Sequence, residues 1–168
     1  DLTDTALALQ IAEAGAVLGS TLRRLRRAAW ELAQRHRHTP MVGRTHGMHA
    51  EPITFGLKCL GWSEELGRAA ARLEAALRGC RVGKLSGAVG TLAHVEPELE
   101  AAVLHGLGLE VEPVASQVVA RDRHAALLGA IAVLGGSLER IATEVRHLQR
   151  SEVREAGERV FDAAERLR

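Results

Sequence analysis

DRHAALLGAIAVLGGSLERIATEVRHLQR, residues 122 to 150, is the stretch whose reading decides the fold. Its apolar residues Leu127, Ile131, Leu134, Leu138, Ile141, Val145 and Leu148 stay in phase, and from Ile131 on the steps run three, four, three, four, three. That is a heptad seam, the pattern of a helix that packs along its whole length against other helices. The same periodicity extends outward. Leu7, Ile11, Ala14, Leu18, Leu22, Leu25, Ala29 and Leu32 predict a first helix from Asp1 or Thr3 to about His36, ended by His38-Thr39-Pro40. Leu57, Leu60, Leu66, Ala69, Leu73 and Leu77 predict a second, starting near Glu51 or Pro52, where proline suits a first turn, and ending at Gly79. A short helix from Pro97 should stop at Gly106 and Gly108. The glycine-rich KLSGAVGT (Lys84 to Thr91) reads as a loop, and EVEPVASQVVA as extended chain.

Composition agrees with an all-α, long-helix bundle. Only 2% of the residues are aromatic, with no Tyr, two Trp and two Phe, so the core must be aliphatic and rich in small side chains that let helices approach closely. Helices of about 30 residues are about 45 Å long, and three of them cannot shield all their apolar surface alone. The chain is therefore expected to assemble with other subunits, most simply copies of itself. The formal charge of +1 supplies no long-range field for nucleic acid or an anionic membrane surface. Two cysteines, no signal-peptide pattern and no apolar run near 18 residues predict a cytoplasmic protein outside the membrane, with Cys59 and Cys80 as packed thiols. The basic LRRLRR (Leu22 to Arg27) spreads around the first helix, as expected of a solvated face or a subunit contact.

Chemistry concentrates in GRTHGMHAEPITFG, residues 43 to 56. Gly43 and Gly47 bracket Arg44, Thr45 and His46 at a bend, so an imidazole, which exchanges its proton near neutrality, is presented at a cleft. Thr45 offers a hydroxyl and an N–H to a carboxylate, and Arg44 a positive charge, which makes both candidates for binding substrate. His46 and His49 have H-x-x-H spacing, but no third ligand at suitable spacing and no HExxH pattern accompanies them; no metal site is expected. SGAVGT, from Ser86 to Thr91, is either a tight connection or a set of N–H groups for an anion. In SQVVARDRHA (Ser116 to Ala125), Gln117 can donate and accept, while Arg121 and Arg123 flank Asp122, a helix N-cap candidate.

Three wordings, HG-x-HAEP-x-TFGLK (His46 to Lys58), RDRHA (Arg121 to Ala125) and RHLQRSEV (Arg146 to Val153), resemble the fumarase/aspartase superfamily, and within it the adenylosuccinate lyases more than the fumarases or argininosuccinate lyases. The resemblance covers Asp1 to about Glu155. It implies a central helical domain over 1–155, a homotetramer whose active sites draw on several subunits, a nucleotide substrate, and cofactor-free β-elimination of fumarate in purine biosynthesis. It further implies that His46 protonates the leaving nitrogen, that Gln117 contacts substrate, and that Ser86 to Thr91 matches a GT-x-x-GT loop. DLTDTALALQ resembles the tail of a TSSD-x-x-DTA motif, which places a substrate-contacting Thr-Ser pair before Asp1. After Glu155 the resemblance predicts a GSS-x-MP-x-K-x-NP loop carrying the serine base. AGERVFDAAERLR departs from it, which suggests a junction near Ala156 to Gly157 followed by a short amphipathic piece over 156–168, or else a degenerate fragment. Another lyase or cycloisomerase of the superfamily, or a non-catalytic assembly module, are the remaining alternatives; the chain alone is expected to be inactive.

Overall fold

A computed structural model describes residues 1–157. From residue 158 on, the expected amphipathic piece lies outside the described residues. The order of elements is α1 (Leu2–Arg35), β1 (Pro40–Thr45), β2 (Met48–Thr54), α2 (Phe55–Gly79), β3 (Val82–Gly83), α3 (Pro97–Gly106), β4 (Glu110–Val111) and α4 (Asp122–Leu148). The three long helices and the short one fall where the apolar periodicity put them, with one exception. The fold is all-α in class, and among the described residues its strands are confined to an antiparallel hairpin, β1 with β2, and a short parallel pair, β3 with β4.

The exception is the start of α2. Pro52 does not open the helix; it lies in β2, paired with Val42, beside a register shift between Val42 and Arg44. The Thr54 hydroxyl accepts the Leu57 N–H at 3.0 Å, which makes Thr54 the N-cap and moves the helix start to Phe55. Proline fits the strand because a position next to an irregular pairing need not donate to a ladder. The phase of α2 also differs from expectation. Leu57 is 57% exposed, and the buried seam is Cys59, Trp62, Leu66, Ala69 and Leu73, again stepping three, four, three, four. Cys59 and Cys80 are free and buried, and burial pushes the Cys59 thiol up to about 11.

The chain divides into two compact units, each discontinuous in sequence. One comprises Asp1–Leu25 with Gly67–Ala132, the other Arg26–Leu66 with the chain from Val133. In the first, Ala8, Leu104 and Leu109 form a buried cluster against which Leu9 and Val111 pack. A Cβ on Gly15 of α1 would lie 2.4 Å from a Leu77 methyl of α2, so absence of a side chain there sets how closely the helices approach. In the second unit a Cβ on Gly56 would meet the Ala33 carbonyl at 2.6 Å. There Lys58 pairs with Glu144 and Arg140 with Glu65, joining α2 to α4.

Along α1 the buried positions Ala8, Gly15, Leu22 and Ala29 recur every seventh residue. Much apolar surface is left over: Val17, Trp30, Leu128, Ile131, Val133 and Leu138 are exposed, two of them on the seam that the sequence predicts for α4. The expectation of no apolar run near 18 residues needs correction. Both α1 and α4 contain an 18-residue window with mean hydropathy of 1.3 and 1.5, enough by length and composition to cross a bilayer. Core helices of bundles pass the same test, and the heptad seam of α4 is what helix–helix packing requires.

Candidate active site

His46 sits at the tip of the hairpin. Thr45 pairs with Met48, so His46 and Gly47 are the two turn residues, with φ of 54° and 74°. Positive φ at both central positions is the type I′ requirement, the turn whose twist matches that of the flanking strands. Gly43 is needed lower down: a Cβ there would lie 2.3 Å from the Glu51 carbonyl oxygen, at the place where one residue of β1 opposes two of β2. The base of the hairpin is fixed to the end of α1, because Phe55 and Gly56 donate backbone hydrogen bonds to the carbonyls of Thr39 and His36, both at 3.0 Å. Phe55 meets the rings of His36 and Trp62 edge-on. Thr45, His46 and His49 are exposed on this arm. Arg44 is not free; its guanidinium bonds the Glu155 carboxylate at 2.5 Å. Among the described residues, no group of three or more His, Cys, Asp or Glu side chains is placed to hold a metal ion.

Ser86, Thr91, Gln117 and Arg121 belong to the other unit, where they form one cluster of loops. Gly87 and Gly90 adopt φ of 83° and 78°. A Cβ on Gly90 would stand 1.9 Å from the Ala115 carbonyl oxygen, so the SGAVGT loop is laid directly against the segment leading into Gln117. Ser86 is buried, and its hydroxyl has no hydrogen-bond partner among the described residues, while Thr91 and Gln117 are exposed. Such a buried hydroxyl is a donor still to be satisfied.

Buried charges hold these loops. The side chain of Lys84 is completely buried; its ammonium pairs with the Asp1 carboxylate and donates to the Gly87 carbonyl at 2.8 Å. The Gly87 N–H returns to both Asp1 oxygens at 3.1 Å. Asp4, in the first turn of α1, accepts the Val119 N–H at 2.7 Å and the Arg121 guanidinium at 2.9 Å. Burial alone would raise the Asp4 carboxyl, but the hydrogen bonds and charge of Arg121 with the Val119 N–H outweigh it and hold the group below its ordinary value. Glu100 of α3 accepts the Leu85 N–H at 2.6 Å. Arg123 bonds Glu112 and the Gly79 carbonyl, the latter at 2.8 Å, a structural task. Only one signal could have marked Asp4 and Lys84 beforehand: a charge in line with buried apolar positions.

A family model described as a lyase matches residues 1–165. The chain belongs to this lyase family. It is 52% identical over 158 residues to the adenylosuccinate lyase of Thermotoga maritima, covering 94% of this chain and 37% of that protein. The adenylosuccinate lyases of Deinococcus radiodurans and Bacillus subtilis are 52% and 45% identical over the same length, 94% of this chain and 36% and 37% of theirs. A fumarate lyase from Mesorhizobium superposes with a TM-score of 0.83 at 36% identity, over 89% of this chain and 36% of that one. A 3-carboxy-cis,cis-muconate lactonizing enzyme from Pseudomonas putida does so at 0.81 with 29% identity, over 89% and 34%. The chain thus spans little more than a third of the length of the relatives it matches.

Proposed function

We propose that this chain is the central helical part of an adenylosuccinate lyase, a cytoplasmic enzyme of purine biosynthesis that eliminates fumarate from adenylosuccinate and from the succinylated aminoimidazole carboxamide ribotide. One observation carries the reading: 52% identity to the Thermotoga maritima adenylosuccinate lyase across 94% of the chain. The geometry suits the chemistry. Elimination needs a base to take a proton next to a carboxylate, donors around the anionic intermediate, and an acid for the departing nitrogen. His46, on an exposed turn, serves as the acid. The Ser86–Thr91 loop and Gln117 supply N–H, hydroxyl and amide donors to the substrate, with Arg121 and Thr45 as further contacts. The base belongs to the serine loop that the family resemblance implies.

The exposed apolar residues of α1 and α4 support assembly into a homotetramer that completes the site with residues from other subunits. In the full-length protein, fumarate release is expected from adenylosuccinate and not from argininosuccinate, with sedimentation equilibrium giving a tetramer at micromolar concentration. Turnover of argininosuccinate alone would reassign the chain within the superfamily, and a monomer would remove the shared site.

A further inference from the structure

Glu155 lies seven residues beyond the end of α4 and 111 residues from its partner Arg44, yet it is built into the hairpin. The chain reverses after α4 through Arg154, which has a φ of 49°, and the N–H groups of Glu155 and Ala156 both return to the Leu148 carbonyl, at 3.0 and 3.1 Å. That reversal points the Glu155 carboxylate at β1. There it takes the Arg44 guanidinium at 2.5 Å and the backbone N–H of Val42. These two residues flank Gly43, where the ladder is irregular, so the carboxylate holds the strand on both sides of its weakest point. The ion pair is partly sheltered, with side-chain exposures of 29% and 21%. His46 is two residues beyond Arg44, in the turn into which β1 leads.

We propose that Glu155 and Arg44 are positioning residues for His46, a clamp that ties the chain leaving α4 to β1 opposite the bulge and thereby sets where the imidazole stands when it gives up its proton. The inference rests on His46 being the acid. A general acid works only within hydrogen-bond reach of its proton's destination, so an arm free to tilt by an ångström loses rate without losing substrate. The clamp also couples the acid to whatever follows Glu155, because a shift of that segment pulls on β1.

The test uses the full-length enzyme and four variants: Glu155→Ala, Glu155→Gln, His46→Gln and Glu155→Ala combined with His46→Gln. Glu155→Ala is expected to lower kcat about ten-fold with KM changed less than two-fold. Glu155→Gln, which keeps a hydrogen-bond acceptor for Val42, should recover part of that loss. In the His46→Gln background the Glu155→Ala change should cost nothing more, since its effect runs through the imidazole. A full ten-fold further loss in that background, or a rise in KM in place of a fall in kcat, overturns the clamp. Undiminished kcat in Glu155→Ala and Glu155→Gln does so as well. If instead His46→Gln itself turns over normally, it is the acid assignment that fails. Should Glu155→Ala not fold, Glu155→Gln in both backgrounds gives the same comparison.

Discussion

The hairpin and the loop cluster are held in opposite ways. The arm that carries His46 relies on backbone pairing, a two-residue turn and an ion pair two residues from that turn, and its tip is exposed. The loops that carry Ser86 and Gln117 are irregular in backbone but anchored by buried side chains: Lys84 on Asp1, Asp4 on Val119 and Arg121, Glu100 on Leu85. A regular element can present a reactive group far from the core because its own ladder satisfies the backbone. A glycine-rich loop cannot, and needs charges from inside the molecule. On the proposed function, the contrast is a division of labour, with proton transfer assigned to the projecting hairpin and substrate recognition to the preorganised loops.

The sharpest way to break this contrast is by kinetics in the full-length enzyme. His46→Gln should reduce kcat about 100-fold or more while substrate still binds, the usual scale for a general acid. Gln117→Ala should act mainly on binding, raising KM about ten-fold by leaving a substrate group unpaired. Equal effects of both on KM, read from steady-state fumarate release, would merge the two regions into one. Glycine substitutions come next. Gly90→Ala places a methyl within 2 Å of the Ala115 carbonyl as well as straining a φ of 78°, whereas Gly47→Ala meets no atom within 4 Å and bears only the strain of its φ of 74°. Thermal melting should show Gly90→Ala costing more than the approximately 1 kcal/mol of backbone strain expected for Gly47→Ala. A larger loss at Gly47 would mean that the loop floor yields more easily than the arm.

The smallest effect is set by pH. Asp4 and Glu155 are both held below the ordinary carboxyl range, the second by its hydrogen bond to Arg44. Each therefore contributes stability that is fully present above the unfolded value near 4 and is lost as pH falls through the lower folded value. Melting temperature should decline on acidification below about pH 4, and Asp4→Asn should shallow that decline while lowering stability at neutral pH. An unchanged acid profile in Asp4→Asn would show that the loop floor does not depend on the buried carboxylate.

Much of this was legible from residue order alone, for a definite reason. Helix existence follows from periodicity, so α1, α3 and α4 begin and end within a residue or two of where the apolar steps, Pro97 and Asp122 placed them. The hairpin was not legible. GRTHGMHAEPIT alternates no apolar face, because the arm is exposed on both sides, and Pro52 carries a helix-start signal that the Thr54 cap overrides two residues later. His46 could be singled out by its glycine neighbours, yet its I′ turn depends on a strand pairing that only the fold reveals. The roles of Asp4, Lys84 and Glu155 were hidden for a similar reason: each draws its meaning from a partner between 83 and 117 residues away, and at most the place of a charge among buried apolar positions hinted at the first two.

The left-handed backbone at position 46 also limits what chemistry can be installed there. Few side chains accept a φ of 54° without strain, and those that do best are Asn, Asp, His and glycine. Of these, only histidine combines tolerance of that conformation with a proton that is exchangeable near neutral pH. A lysine, tyrosine or glutamate at the tip would have to distort the turn before it could act. The shape of the turn therefore filters the acids open to this scaffold, and new reactivity is more readily installed in the glycine-rich loops than at position 46.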